Sequence, residues 1–87
     1  MKILFIKPSS LGDIIHGLQL AESLRRDISP LHISWVAREM FSSLVNSCKT
    51  VDHVFVFRRD QGLTGFLRLV SDIRRHQFDW VIDLQGL

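Results

Sequence analysis

The sequence predicts an α/β protein: an open, parallel, Rossmann-like sheet with helices on both faces. Short, unbroken apolar runs, typical of strands buried on both faces, alternate with longer stretches whose apolar residues recur at the helical period. Each connection is long enough for a crossover helix, which favours parallel pairing. The 87 residues, 46% hydrophobic and 23% charged, have the composition of one compact domain with one modest core.

The first half of the chain is predicted to form two strands and two helices. Residues 3–6 are a β-branched and aromatic run that ends at Pro8, as a central strand would. A helical stripe follows from Leu11 to Ile28 and stops before Ser29-Pro30. The alternation over 31–37 predicts a second strand, and the spacing over 38–47 predicts a second helix.

The second half continues the same alternation. Residues 54–57 are an apolar strand, 63–73 carry a third helical stripe, and 80–82 form a fourth strand. Trp35 and Trp80 lie in strands and are expected to be core residues. After residues 83–87 a fourth helix would be expected to cover the last strand, so residues 1–87 are interpreted as a single partial domain.

Four loops are predicted to share one edge of this sheet. They follow the four strands at residues 7–13, 37–39, 58–62 and 83–86. In open parallel sheets the ligand binds beyond the carboxyl ends of the strands, so all four loops are expected to face one crevice.

The loop 7–13 carries the strongest signal, and two interpretations of it stay open. It lacks the glycines of a dinucleotide fingerprint and the Gly-Lys-Ser/Thr of a P-loop. Ser10 and Asp13 have the spacing of an imperfect capping box, which would make both residues structural. Gly12, however, is a poor helix former in a first turn, and its lack of a side chain lets a ligand approach the backbone closely.

Composition and charge exclude several classes of protein. A formal charge of +2 without a concentrated basic face argues against nucleic-acid binding. The single cysteine, Cys48, cannot form an internal disulfide and suits a reducing cytoplasm. The apolar run 3–6 is far too short for a signal peptide or a membrane span. We therefore expect a cytoplasmic protein, with peripheral attachment to a membrane left open.

Three stretches resemble a known family in their order and spacing. These are Ile-Lys-Pro-Ser-Ser-Leu-Gly-Asp-Ile-Ile-His (6–16), Ile-Ser-Trp-Val-Ala-Arg-Glu (33–39) and Val-Ile-Asp-Leu-Gln-Gly-Leu (81–87). Together they resemble the amino-terminal part of the bacterial lipopolysaccharide heptosyltransferases, glycosyltransferase family 9. The resemblance covers essentially the whole chain.

The resemblance implies a GT-B glycosyltransferase that transfers heptose from ADP-heptose to the inner core of lipopolysaccharide. Its amino-terminal domain would take the lipid A-Kdo acceptor, and a carboxyl-terminal domain absent from this sequence would take the nucleotide sugar. The fragment alone is expected to be inactive. No Asp-x-Asp pair occurs and the histidines lack metal-ligand spacing, so transfer without a metal or other cofactor is expected.

The resemblance also implies roles for individual residues. Inverting transfer needs a carboxylate to take the proton of the acceptor hydroxyl, and Asp13 is expected to be this general base. Arg58 and Arg59 are expected either to bind acceptor carboxylates and phosphates or to lie in a solvated loop. The remaining residues expected to bind substrate are Lys7, Ser9, Ser10, Gly12, Gln85 and Gly86.

A second class of function fits the same loop. In a flavodoxin-like module, Ser9, Ser10 and Gly12 would cradle a phosphate of a flavin or nucleotide. Such a protein would be yellow or nucleotide-bound as purified.

Overall fold

The computed structural model describes residues 1–85 as a four-stranded parallel sheet flanked by helices. The strands are β1 (Lys2–Ile6), β2 (His32–Arg38), β3 (His53–Phe57) and β4 (Trp80–Asp83), and the helices are α1 (Leu11–Asp27), α2 (Glu39–Asn46) and α3 (Gly62–Arg75). Each predicted element is confirmed, with ends that differ by one or two residues. A short 3-10 helix at Arg59–Gln61 was not predicted.

The strand order β3-β2-β1-β4 explains why helices cover both faces. The chain moves outward from β1 to β3 through α1 and α2, and α3 then carries it back past β1 to β4. Because right-handed crossovers in opposite directions place their helices on opposite faces, α1 and α2 share one face and α3 covers the other. The direction of winding changes between β1 and β4, where ligands bind in this class of sheet.

Two apolar clusters, one on each face, follow from this arrangement. The larger joins the helices α1 and α2 to β1, β2 and the start of β3; its buried residues are Ile3, Phe5, Ile14, Ala21, Leu31, Ile33, Trp35, Ala37, Val45 and Val51. The smaller lies under α3, where Leu69 and Ile73 pack against Leu4, Val36 and Phe55. The side chains of β1, β2 and β3 alternate between the two clusters, as the pleat requires.

Trp35 is the largest fully buried side chain. Its ring stacks on Phe5, with the ring centroids 5.0 Å apart and the planes 11° from parallel. Gly17 of α1 lies directly above the ring, because a Cβ at this glycine would be 2.9 Å from Trp35 Cη2. The indole Nε1 donates a hydrogen bond to Lys7 O over 3.1 Å. The core residue thus also fixes the backbone that follows β1.

An ion pair ties α1 to the amino-terminal end of the sheet. Arg25 Nη2 donates to Asp52 Oδ2 over 2.5 Å and to Thr50 O over 3.0 Å. The same carboxylate oxygen accepts from Ile33 N over 2.8 Å. Burial raises the pKa of Asp52, but the hydrogen bonds from Ile33 and Arg25 outweigh it and hold the pKa below its usual value. Arg25 therefore lies at the end of the sheet opposite the predicted crevice.

Apolar surface remains uncovered beside β4. Trp80 is 61% exposed, so the expectation that it is a core residue is wrong. The reason is its position: among the strands of residues 1–85, β4 lies at the edge of the sheet and pairs only with β1. Val81 of β4 is also more than half exposed, and so are Leu63 and Leu67 of α3. No helix in residues 1–85 combines the length and apolar character needed to cross a bilayer.

Replacing Gly17 by Ala is expected to lower the free energy of unfolding by about 1–3 kcal/mol, because the new methyl would overlap a stacked, fully buried ring. Gly12→Ala is the matched control, since a Cβ there has no atom within 4 Å. The control should be neutral or slightly stabilising, as for other Gly-to-Ala changes in helices. Urea denaturation of both variants measures the difference, and equal stabilities would contradict the close packing of α1 on Trp35.

His53 predicts a pH dependence of stability. Its ring stacks on His76 with centroids 5.7 Å apart and meets Phe55 edge-on at 4.6 Å. Burial lowers the pKa of His53, and repulsion from His76 and His32 lowers it further. Because the folded pKa lies below the unfolded one, the unfolded chain binds the proton first, and stability falls as the pH drops through about 6.5.

The free energy of unfolding should therefore be smaller at about pH 5.5 than at about pH 7.5, and His53→Gln should reduce that difference. His16→Gln, at an exposed position of α1, serves as the control and should leave the difference unchanged. Denaturation of the three proteins at both pH values tests this. If His53→Gln keeps the whole difference, the histidine stack does not cause it.

Candidate functional site

The loop after β1 is held from two directions. The carbonyl of Lys7 accepts the Trp35 indole hydrogen bond, and the carbonyl of Pro8 accepts one from Arg38 N over 3.1 Å. Helix α1 then begins at once, with Ile14 N donating to Ser10 O over 2.9 Å. Residues 7–10 are thus fixed by β2 on one side and by α1 on the other. A site built on this loop is held by the core beneath it.

Lys7 and Asp13 meet at the junction between β1 and β4. The Lys7 side chain is only 12% exposed, and its Nζ donates to Leu84 O over 3.3 Å, just past the end of β4. The same Nζ lies 3.8 Å from Asp13 Oδ2. Asp13 itself is 59% exposed. A nearly buried cation therefore orients a solvent-accessible carboxylate at the edge where ligands bind.

Ser10 contacts the same carboxylate oxygen. Its hydroxyl donates to Asp13 Oδ2 over 3.2 Å. Within residues 1–85 the polar contacts found for the Asp13 carboxylate thus fall on Oδ2. The second oxygen, Oδ1, is left to accept a hydrogen bond or a proton from a bound group.

The alternative interpretation, in which Ser10 and Asp13 form a capping box, is wrong because the side-chain hydrogen bonds of such a box are not formed. Ser10 is the N-cap residue of α1 by its backbone, but its side chain makes no capping hydrogen bond. Its hydroxyl donates to the carboxylate instead of accepting from the helix. Asp13 still lies in the first turn, where a negative charge stabilises the helix. Its carboxylate oxygens, however, accept no capping hydrogen bond from the helix backbone.

The four predicted loops meet around a small cavity of about 110 Å³. Its lining residues come from all four loops: Pro8, Ser9, Arg38, Phe57, Arg59 and Gln85. The prediction that these loops face one crevice is therefore confirmed. Ser9, Arg59 and Gln85 thus lie around the same cavity, and their roles in binding substrate stay predictions.

The two consecutive arginines after β3 differ in their surroundings. Arg58 Nε donates to Glu39 Oε2 over 2.6 Å, and Arg58 is not among the residues that line the small cavity. Arg59 lines this cavity and also a neighbouring one of about 430 Å³. Glu39, the first residue of α2, is thus the ion-pair partner of Arg58.

The remaining predicted residues have simple outcomes. Gly12 borders open space, which is compatible with close approach of a ligand. Gly86 lies outside the described residues. Arg38 was not predicted to be a site residue, although the predicted crevice loop 37–39 contains it. Within residues 1–85, no three His, Cys, Asp or Glu side chains come together as metal ligands would.

Comparison with known proteins places this chain beside bacterial heptosyltransferases. No family model matches it. Over 88 residues it is 28% identical to lipopolysaccharide heptosyltransferase 1 of Campylobacter coli, an alignment that covers all of this chain and 26% of the relative. The E. coli heptosyltransferase WaaC with ADP superposes with a TM-score of 0.77 and 27% identity, covering 100% of this chain and 28% of that one.

A further solved structure supports the fold. The glycosyl transferase family 9 protein from Veillonella parvula superposes with a TM-score of 0.83 at 24% identity, over 95% of this chain and 25% of that one. The chain thus spans about a quarter of the length of the relatives it matches. The resemblance to family 9 heptosyltransferases is confirmed, and the fold is that of the amino-terminal region of such GT-B proteins.

Proposed function

We propose that residues 1–87 form part of the acceptor-binding half of a family 9 glycosyltransferase that transfers heptose from ADP-heptose to the inner core of lipopolysaccharide. The observation that carries the proposal is the exposed Asp13 carboxylate, held by Lys7 and Ser10 at the β1–β4 junction. The family resemblance suggests the reaction, and the exposed carboxylate supports a general base for it.

In the proposed reaction Asp13 acts as the general base. The acceptor hydroxyl would transfer its proton to Asp13 Oδ1 while its oxygen forms the bond to the anomeric carbon of the heptose. The bond from that carbon to the diphosphate breaks on the opposite face, and ADP leaves with the electron pair. Lys7 is a positioning residue: its nearly buried ammonium keeps the carboxylate facing the crevice.

The remaining partners and the location are also proposals. The donor would bind to a carboxyl-terminal domain that follows this segment, and the solved relative WaaC holds ADP. The transfer would need no metal or other cofactor, and no nucleic acid would bind. The protein would act in the cytoplasm and contact the inner membrane peripherally, through exposed apolar residues such as Leu63 and Leu67 beside Arg68.

No observation on residues 1–85 favours the flavodoxin-like alternative over this function. The fold is compatible with both, but the relatives with whole-chain similarity are heptosyltransferases. As the acceptor half alone, the 87-residue chain is expected to lack transferase activity, because donor binding would need residues it does not contain.

The first test separates acceptor binding from donor binding. The 87-residue chain should bind a Kdo-bearing lipid A acceptor presented in detergent micelles, and should not bind ADP. Isothermal calorimetry with the acceptor, with ADP and with micelles alone measures this. A chain that binds ADP or a flavin but not the acceptor would contradict the assignment to the acceptor half.

The second test separates a base from a structural carboxylate. In the full-length protein, Asp13→Asn should lower kcat for heptose transfer by about 10²- to 10⁴-fold, because the amide cannot accept the proton. Stability should change by about 1 kcal/mol or less. Asp72→Asn, a surface position paired with Arg75, is the control and should leave kcat unchanged. Normal turnover per folded Asp13→Asn molecule would end the general-base assignment.

A further inference from the structure

We propose that Trp35, a residue of the core, is a positioning residue for the transfer reaction, because it fixes the loop from which Lys7 holds the Asp13 carboxylate. The proposal deepens the proposed function and rests on it for the identity of the reaction. The contacts that support the proposal run from the indole through Lys7 to Asp13, and they are independent of the substrate.

The indole N–H of Trp35 has its acceptor outside the core. The side chain is fully buried, and a buried indole N–H needs an acceptor because leaving it unpaired costs free energy. Nε1 donates over 3.1 Å to the carbonyl of Lys7, the first residue after β1. A phenylalanine ring has no polar group and would not need this acceptor. The indole therefore links the packing of the core to the backbone of the loop.

The elements that surround Asp13 meet at the Trp35 ring. Phe5 of β1 stacks on the ring, and Gly17 of α1 packs against it. A Cβ at Gly17 would be 2.9 Å from Trp35 Cη2 and 3.3 Å from Leu84 Cδ1, so the Leu84 side chain reaches the same place from the end of β4. The ring thus sets the spacing between β1, α1 and the residue that follows β4.

Lys7 transmits this constraint to the carboxylate. Its carbonyl accepts the indole hydrogen bond, and its nearly buried ammonium donates to Leu84 O over 3.3 Å and lies 3.8 Å from Asp13 Oδ2. Without the indole donor, the Lys7 backbone can move and carry the ammonium with it. A general base must lie within hydrogen-bond reach of the proton it accepts, and a displacement of about 1 Å can lower the rate by about 10²-fold. We therefore expect Trp35 to affect kcat although it touches no substrate.

The first test is Trp35→Phe in the full-length protein, which keeps an aromatic ring beside Phe5 and removes the donor to Lys7 O. The kcat for heptose transfer per folded molecule should fall by about tenfold, because the carboxylate loses its fixed position. The KM for ADP-heptose should change by less than about twofold, since the donor would bind to another domain. An unchanged kcat per folded molecule, whatever the stability of the variant, would overturn the proposal.

Val45→Ala is the matched control for a general loss of core packing. Val45 is fully buried in the same apolar cluster as Trp35, and its side chain has no polar group that could bond to the loop. The variant should unfold at lower urea concentration because of the cavity it creates. Its kcat per folded molecule should stay within about twofold of the unmodified protein. Equal losses of kcat in Val45→Ala and Trp35→Phe would mean that any weakening of the core lowers turnover, and would refute a specific role of the indole.

The second test removes the hydrogen-bond donor alone, in the 87-residue chain. Trp35→benzothienylalanine replaces the indole N–H by sulfur and keeps the fused ring, so it also replaces Trp35→Phe if that variant does not fold. The chain can be assembled from two synthetic peptides by ligation at its single cysteine, Cys48. The amide NMR signals of Lys7 and Asp13 should shift relative to the chain with tryptophan, whereas those of α2 should not. Unchanged signals at Lys7 and Asp13 would overturn the proposal.

The two tests separate this proposal from the proposed function. The NMR comparison needs no sugar transfer. A full-length protein that transfers no heptose would overturn the proposed function, while shifted signals would still show that Trp35 positions Lys7 and Asp13. Normal transfer by folded Trp35→Phe, beside normal transfer by the unmodified protein, would overturn the positioning role and leave the proposed function standing.

Discussion

The hydrogen bond from the Trp35 indole to Lys7 O joins the core of this protein to its candidate site. The Trp35 ring is buried, stacked on Phe5 and covered by Gly17, so it has no room to move. Its Nε1 therefore presents a fixed donor to the loop after β1. That loop fixes the position of the first turn of α1, which contains Asp13. A change in the packing of the Trp35 ring would thus shift the position of the Asp13 carboxylate, although the two side chains are not in contact.

Much of the fold could be predicted because its determinants are local. Buried strands such as Ile3 to Ile6 and helical stripes such as that of α1 are visible in the residue order itself. Parallel pairing through crossover helices then places the loops after the strands at one edge of the sheet. The resemblance to family 9 drew attention to Asp13 and its neighbours, and the structure puts Asp13, Lys7 and Ser10 in contact.

The errors concern pairings that spacing does not encode. Trp80 has the sequence environment of a core strand, but the edge position of β4 leaves it exposed. Ser10 and Asp13 have the spacing of a cap, yet the hydroxyl turns to the carboxylate. Arg58 and Arg59 are equivalent in sequence, and only the three-dimensional structure shows that Glu39 pairs with one of them. Arg38 was overlooked because its partners in the cavity come from three other loops.

The place of β4 has a consequence for the order in which the molecule assembles. Strands β1, β2 and β3 can pair through short crossovers, but the contact between Lys2 and Asp79 at the base of β4 joins residues 77 apart in the chain. Closing so long a loop carries the largest entropic cost in the sheet, so we expect β4 to dock last and to detach first. Lys7 bonds to Leu84 only once β4 has docked. The environment of Asp13 would therefore be completed in the final step of folding, and transient release of β4 would dismantle it while the other three strands stay paired.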